Sequence, residues 1–267
     1  MKLRPVAGIV LRQLYLLRGS PVRLFPMVTW VAIDIVLWGF ITRYLNSVSG
    51  GGVNFVPTLL GGVLLWDFCA RIMQGVSTAF LEDVWSRNFL NLFSSPLSIS
   101  EYITGLVITS VLTSCIGLLT MLVLATGVFH LQFFALGLPL AAFLMVLFVF
   151  GITLGIFGSG VVLRFGPASE WLLWPLPALL SPFAAVFYPL ATLPPWMRAV
   201  AHALPPAYVF EGMRTLLSGR PFPGALLLQG SAVAVLELLL AAHFYGRIYR
   251  HAVRTGLLAR YSAEGAA

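Results

Sequence analysis

Six stretches of this chain are each long and apolar enough to cross a lipid bilayer as a helix: residues 24–44, 56–81, 102–129, 133–163, 171–188 and 225–245. Hydrocarbon about 30 Å thick takes roughly 20 residues per helical crossing. Backbone facing lipid must satisfy its own hydrogen bonds, and no two-residue alternation of the barrel kind is present, so the crossings are expected as helices. With 59% of residues hydrophobic, 9% charged and a mean hydropathy of +0.94, an ordinary soluble domain is excluded. The expectation is one all-α integral membrane domain over 1–267. It has an N-terminal amphipathic interface helix (1–20), a polar elbow (82–99), a short external or re-entrant helical pair (189–218) between spans five and six, and a tail (246–267).

The net charge of +7 comes from fifteen arginines and one lysine. In a soluble protein it would point to nucleic acid; here it reads as topology. Lys2, Arg4, Arg12, Arg18 and Arg23 precede the first span, and Arg247, Arg250, Arg254 and Arg260 follow the last. The positive-inside rule therefore places both ends in the cytoplasm, as an even number of spans requires. Arg87 and Arg164 join them there, whereas Arg43, Arg198, Arg214 and Arg220 are left outside. No cleavable signal peptide is expected, because Arg12 and Arg18 break the apolar residues of the N-terminal segment.

Within the second run, Asp67, Arg71, Gln74, Thr78 and Glu82 recur at spacings of four, three, four and four. At about 100° per residue they fall within an arc of roughly 80°, a polar seam on one helical face. Asp67 and Arg71 pair as an intrahelical salt bridge facing the bundle or line a polar conduit. In the first run Trp30, Asp34 and Trp38 are spaced by four, which sets a carboxylate between two indoles. Glu237 in the sixth run has no local cation. The elbow Glu82-Asp83-Val84-Trp85-Ser86-Arg87-Asn88 ends at Ser95-Pro96. Read as a helix start, its acids favour the helix dipole, and Trp85 with Arg87 offers a charged and aromatic handhold for a soluble partner. The alternative is that these groups only anchor the membrane interface.

The glycine-rich fourth run contains a Gly-x-x-x-Gly pattern that permits close helix approach, within the chain or between copies. Pro175, Pro177 and Pro182 make a straight fifth helix unexpected. The two cysteines, Cys69 and Cys115, sit inside apolar runs and read as packing residues. His130, His202, His243 and His251 are scattered, with no metal-ligand spacing. A phosphate-binding Gly-x-x-x-x-Gly-Lys loop is excluded, since the one lysine is Lys2.

Three features together resemble the membrane subunit of ABC-2 type exporters, permeases that move polysaccharides, lipo-oligosaccharides, lipids or drugs outward. They are the interface helix, the elbow from Leu81 to Ser98 with its charged cluster, leucines and small-residue-Pro-Leu ending, and the external segment from Val186 through Leu193-Pro194-Pro195-Trp196 to Arg214. One departure is Pro205-Pro206, where many members carry Asn-Pro. The resemblance implies a permease in the bacterial inner membrane that pairs with a second copy or close paralogue and docks two ATP-binding subunits. ATP and magnesium then reside on the partner, with no cofactor, catalytic residue or metal on this chain, and membrane lipid rather than nucleic acid surrounds it. The elbow becomes a cytoplasmic coupling helix, with Glu82, Asp83, Trp85 and Arg87 as its contact residues. The first, second and fifth spans line the route, which makes Trp30, Asp34, Trp38, Asp67, Arg71, Gln74 and Thr78 its candidate wall. Tyr188, Pro194, Pro195 and Trp196 are candidates for an external gate. The competing classes are an ion-coupled carrier and a membrane enzyme acting on lipid-linked substrates, for which Asp34, Asp67 and His130 would serve.

Overall fold

A computed structural model describes residues 2–48, 59–86, 88, 91–92, 95–129 and 137–256. Among them are nine helices and no strand: α1 (Leu3–Arg18), α2 (Pro21–Val48), α3 (Gly61–Trp85), α4 (Ile99–Phe129), α5 (Gly137–Phe165), α6 (Leu176–Leu180), α7 (Pro195–Ala201), α8 (Pro205–Leu217) and α9 (Gly224–Thr255). Arg87, His130, the Gly50–Gly52 loop and the last residues of the tail lie outside the described residues.

α3 is the central helix. Its face of Phe68, Cys69, Ile72, Met73, Val76 and Phe80 is buried, while Asp67, Arg71, Gln74, Thr78 and Glu82 on the opposite face are all half-buried. The buried face packs on α5, where Gly151 and Gly155 bring the two backbones together. A Cβ at Gly151 would stand 2.7 Å from the Cys69 carbonyl oxygen, and one at Gly155 would stand 2.7 Å from the Val76 Cβ. Absence of a side chain there gains dispersion contact along both helices. The glycine pattern thus serves packing within the chain.

The buried side chains form two large clusters. One gathers Val31 and Ile35 of α2, Leu64 of α3, Met121 and Phe129 of α4, Leu140 and Phe143 of α5, Ala184 and Val186, and Ala234 of α9. The other gathers Ile9 of α1, Phe80 and Leu81 of α3, Tyr102 and Leu106 of α4, Leu163 of α5, Leu173, and Ala241 and Tyr245 of α9. α3, α4, α5 and α9 therefore run back and forth between the same two clusters.

Among the described residues, four helical segments are long and apolar enough to cross a membrane: Val28–Val48, Ile99–Phe129, Gly137–Phe165 and Gly224–Thr255. Two of the six expected spans depart from that form. α3 has the length, at 25 residues, but its polar seam holds it outside that apolar set. The fifth run is not one helix. It is a 3₁₀ turn (Pro167–Leu172), the five-residue α6 and a chain of turns to Tyr188. Each of Pro175, Pro177 and Pro182 lacks an amide hydrogen, so the ladder survives only in pieces, such as Leu179 N to Pro175 O at 2.8 Å and Ala184 N to Leu180 O at 3.0 Å. Leu173 nevertheless lies in the second cluster and Val186 in the first, so this broken run joins the same two levels as the continuous helices. Into the stretch expected as a tail, α9 continues through Arg247, Arg250 and Arg254 and stops at Gly256, whose φ of 70° suits a glycine helix stop.

Candidate functional site

The elbow is built on the end of a helix rather than its start. Glu82, Asp83 and Trp85 belong to the last turn of α3, where a carboxylate opposes the helix dipole. The reading of these acids as helix-start residues is therefore corrected, and the compensation comes from α1. Both terminal nitrogens of Arg12 donate to the Asp83 carboxylate, one of them at 3.0 Å, and the Tyr102 hydroxyl donates to the same group at 2.8 Å. Asp83 is fully buried, so three elements meet on one carboxylate. The hydrogen bond to Asp83 raises the Arg12 pKa above its ordinary value, against the lowering effect of burial. Asp83 thus faces inward, whereas Trp85 is 51% exposed and Glu82 half-buried.

A second tie lies one helix further. Glu101 N donates to Ser98 Oγ at 3.3 Å while Ser98 N donates to Glu101 Oε2 at 3.1 Å, a reciprocal cap on the first turn of α4. The other carboxylate oxygen accepts from the Lys2 backbone amide at 2.6 Å. α1 is held at its start and at Arg12 in its third turn, and between them Ile9 rests against Gly105 of α4, where a Cβ would come within 2.6 Å of it. The Ser98-x-x-Glu101 spacing was a legible signal for this cap; Arg12 as the partner of Asp83 was not, since 71 residues separate them.

Along the seam, Arg71 Nε donates to Asp67 Oδ2 at 2.6 Å, so the pair does neutralise itself within α3. It is not sealed in the interior, with side-chain exposures of 16% for Arg71 and 21% for Asp67. Gly117 of α4 leaves room for the Arg71 stem, 3.4 Å from where its Cβ would be. The charge of Arg71 also acts on Asp34 of α2, so the structure brings two carboxylates and one guanidinium together. Gln74 and Thr78 continue the same half-buried line. Trp30 stands apart at 61% exposed, while Trp38 stacks on Phe187 with ring centroids 5.4 Å apart and an interplanar angle of 11°. Glu237 of α9 has a buried Oε2 with no hydrogen-bond partner among the described residues.

At the opposite end, Tyr188 donates its hydroxyl to the Pro182 carbonyl at 2.6 Å, and Trp196 meets Phe183 edge-on with centroids 6.1 Å apart. Pro194 and Pro195 are exposed and open α7, their fixed φ suiting a helix start. Arg198 donates to the carbonyls of Ala191 and Leu193 at 3.0 and 3.1 Å. Sequence reading missed Glu211 and Arg214 here. Glu211 accepts from the Leu190 amide at 2.5 Å, and Arg214 donates to the carbonyls of Ala185 and Val186. Burial lowers the Arg214 pKa and the charge of Glu211 raises it.

A family model described as ABC-2 type transporter matches residues 19–217, most of the chain and all of the helices just described except α1 and α9. The chain belongs to the ABC-2 type transporter family. A search of curated proteins finds no match. As an ABC-2 transporter it is a multi-pass membrane protein of a family of transport subunits. Among the described residues of this ABC-2 transporter, polar groups gather at the corner at Asp83, the seam at Asp67 and Arg71, and the bracket at Glu211 and Arg214, among other places.

Proposed function

We propose that this chain is the permease subunit of an ATP-driven exporter and forms the route of an amphiphilic substrate: a glycan, a lipid-linked oligosaccharide, a lipid or a drug. Two copies, or this chain and a close paralogue, face each other across the route. Each docks an ATP-binding subunit that carries the ATP and magnesium. α2 and the five elements that run between the two buried clusters cross the bacterial inner membrane six times, with α1, the end of α3, the start of α4 and the end of α9 on the cytoplasmic side. Residues 82–99 are the coupling elbow and 189–218 the external helices.

The observation that carries this reading is the corner at Asp83. Arg12, Asp83 and Tyr102 lock α1, α3 and α4 together, and Trp85 projects from that corner into the open. A force applied at Trp85 moves three helices rather than one loop. Closure of the ATP-binding subunits then shifts the balance between a closed and an outward-open route. Along the route, the seam of Asp34, Asp67, Arg71, Gln74 and Thr78 with Trp38 supplies the half-exposed polar and aromatic wall.

Affinity purification of the tagged chain from its native membrane, with mass spectrometry and an ATPase assay, tests the assignment. A soluble P-loop ATPase recovered in equal ratio, and lost on Trp85→Ala or Arg87→Glu, is the expected result. A chain recovered without any ATPase, yet active alone in vesicles under a proton gradient, would make it an ion-coupled carrier.

A further inference from the structure

Ala185 has a φ of 54°, the one positive value outside glycine among the described residues. A Cβ is disfavoured in that region, and such backbone persists only where its surroundings enforce it. The enforcement is visible on both sides. Arg214 of α8 donates to the carbonyl of Ala185 and, at 3.1 Å, to that of Val186, while Glu211, one turn earlier, accepts from the Leu190 amide at 2.5 Å. The two side chains also face each other at 3.5 Å, so they form one bracket around residues 185–190. Opposite the bracket, Val186 O stands 2.9 Å from where a Cβ of Gly62 would be, and Phe187 carries the stacked ring of Trp38. A strained turn thus sits among α2, α3 and α8 at the end of the broken fifth run.

We infer that the turn from Ala185 to Leu190 is the moving part of the exit, and that Arg214 and Glu211 are positioning residues that hold it closed. The inference rests on the outward placement of this end proposed above. Release of the bracket lets Ala185 relax to an ordinary φ, swings Phe187 off Trp38 and opens the α2 side of the route. The two kinds of change therefore act in opposite directions: loss of the bracket favours the open form, and loss of the strain favours the closed one.

The test uses Ala184→Cys as reporter, since Ala184 is fully buried in the closed turn, with Cys69 and Cys115 replaced by alanine. The rate of labelling by a membrane-impermeant maleimide is measured from outside on cells carrying the full chain. Arg214→Gln should raise the rate about tenfold, the scale of one charged hydrogen-bonded group. Arg214→Lys should fall between, and Ala185→Gly should slow labelling about fivefold or more. A wild-type rate in a membrane-inserted Arg214→Gln protein, or faster labelling in Ala185→Gly, overturns the inference. If Arg214→Gln fails to insert, the signs for Arg214→Lys and Ala185→Gly decide. A purely structural role would change yield and thermal stability but leave labelling of inserted protein unmoved, which also overturns it. These rates need no nucleotide, so opposite signs without any response to ATP and the co-purified partner would keep the exit turn and remove the ATP-coupled reading.

Discussion

Arg12 grips both carboxylate oxygens of Asp83 across 71 residues of sequence, and the same carboxylate takes the hydroxyl of Tyr102. Removal of the cation leaves a buried charge with one donor. Arg12→Ala is expected to destabilise the chain by about 2–4 kcal/mol, and Tyr102→Phe by about 1 kcal/mol. Thermal unfolding in a defined detergent measures both. The double variant Arg12→Ala with Asp83→Ala should lose clearly less than the sum of the single losses, because it leaves no orphaned charge.

The seam predicts an asymmetry. Arg71→Met removes the cation that acts on both Asp34 and Asp67, whereas Asp67→Asn leaves Arg71 acting on Asp34. A charge at mid-membrane costs about 2.5–3.5 kcal/mol on insertion scales. The yield of folded protein in the membrane should therefore fall much further for Arg71→Met than for Asp67→Asn. Equal yields would mean that Asp34 is not part of the set.

Glycines at crossings should separate from glycines in the open. Gly151→Ala and Gly155→Ala push a Cβ into α3 and are expected to cost about 1–3 kcal/mol. Gly127, in α4, has nothing within 4 Å of its would-be Cβ, and Gly127→Ala should instead stabilise by about 0.5–1 kcal/mol. Melting temperatures of the three variants in one detergent settle the contrast.

Periodicity reached the helices and the seam because both are local: a spacing of three and four fixes a face of α3, and prolines mark where α7 and α8 begin. What it missed depends on distant pairs. Nothing near Asp83 in sequence names Arg12 as its partner, and the acids seemed to open a helix because the charged stretch follows an apolar run. α3 simply continues through it to Trp85. Arg214 counted in the sequence only as one of the outside basic residues, and Glu211 carried no signal of its own. Their role at Ala185 arises only when the broken fifth run folds back onto α8, 29 residues from Ala185 to Arg214.

The exposed Trp85 gives the most direct test of the coupling claim. A photo-cross-linking residue placed at position 85, in native membrane, should link the chain to a soluble P-loop ATPase, and the yield of that link should change when ATP is trapped. Links to lipid or to this chain alone, with no ATPase attached under either condition, would contradict the account.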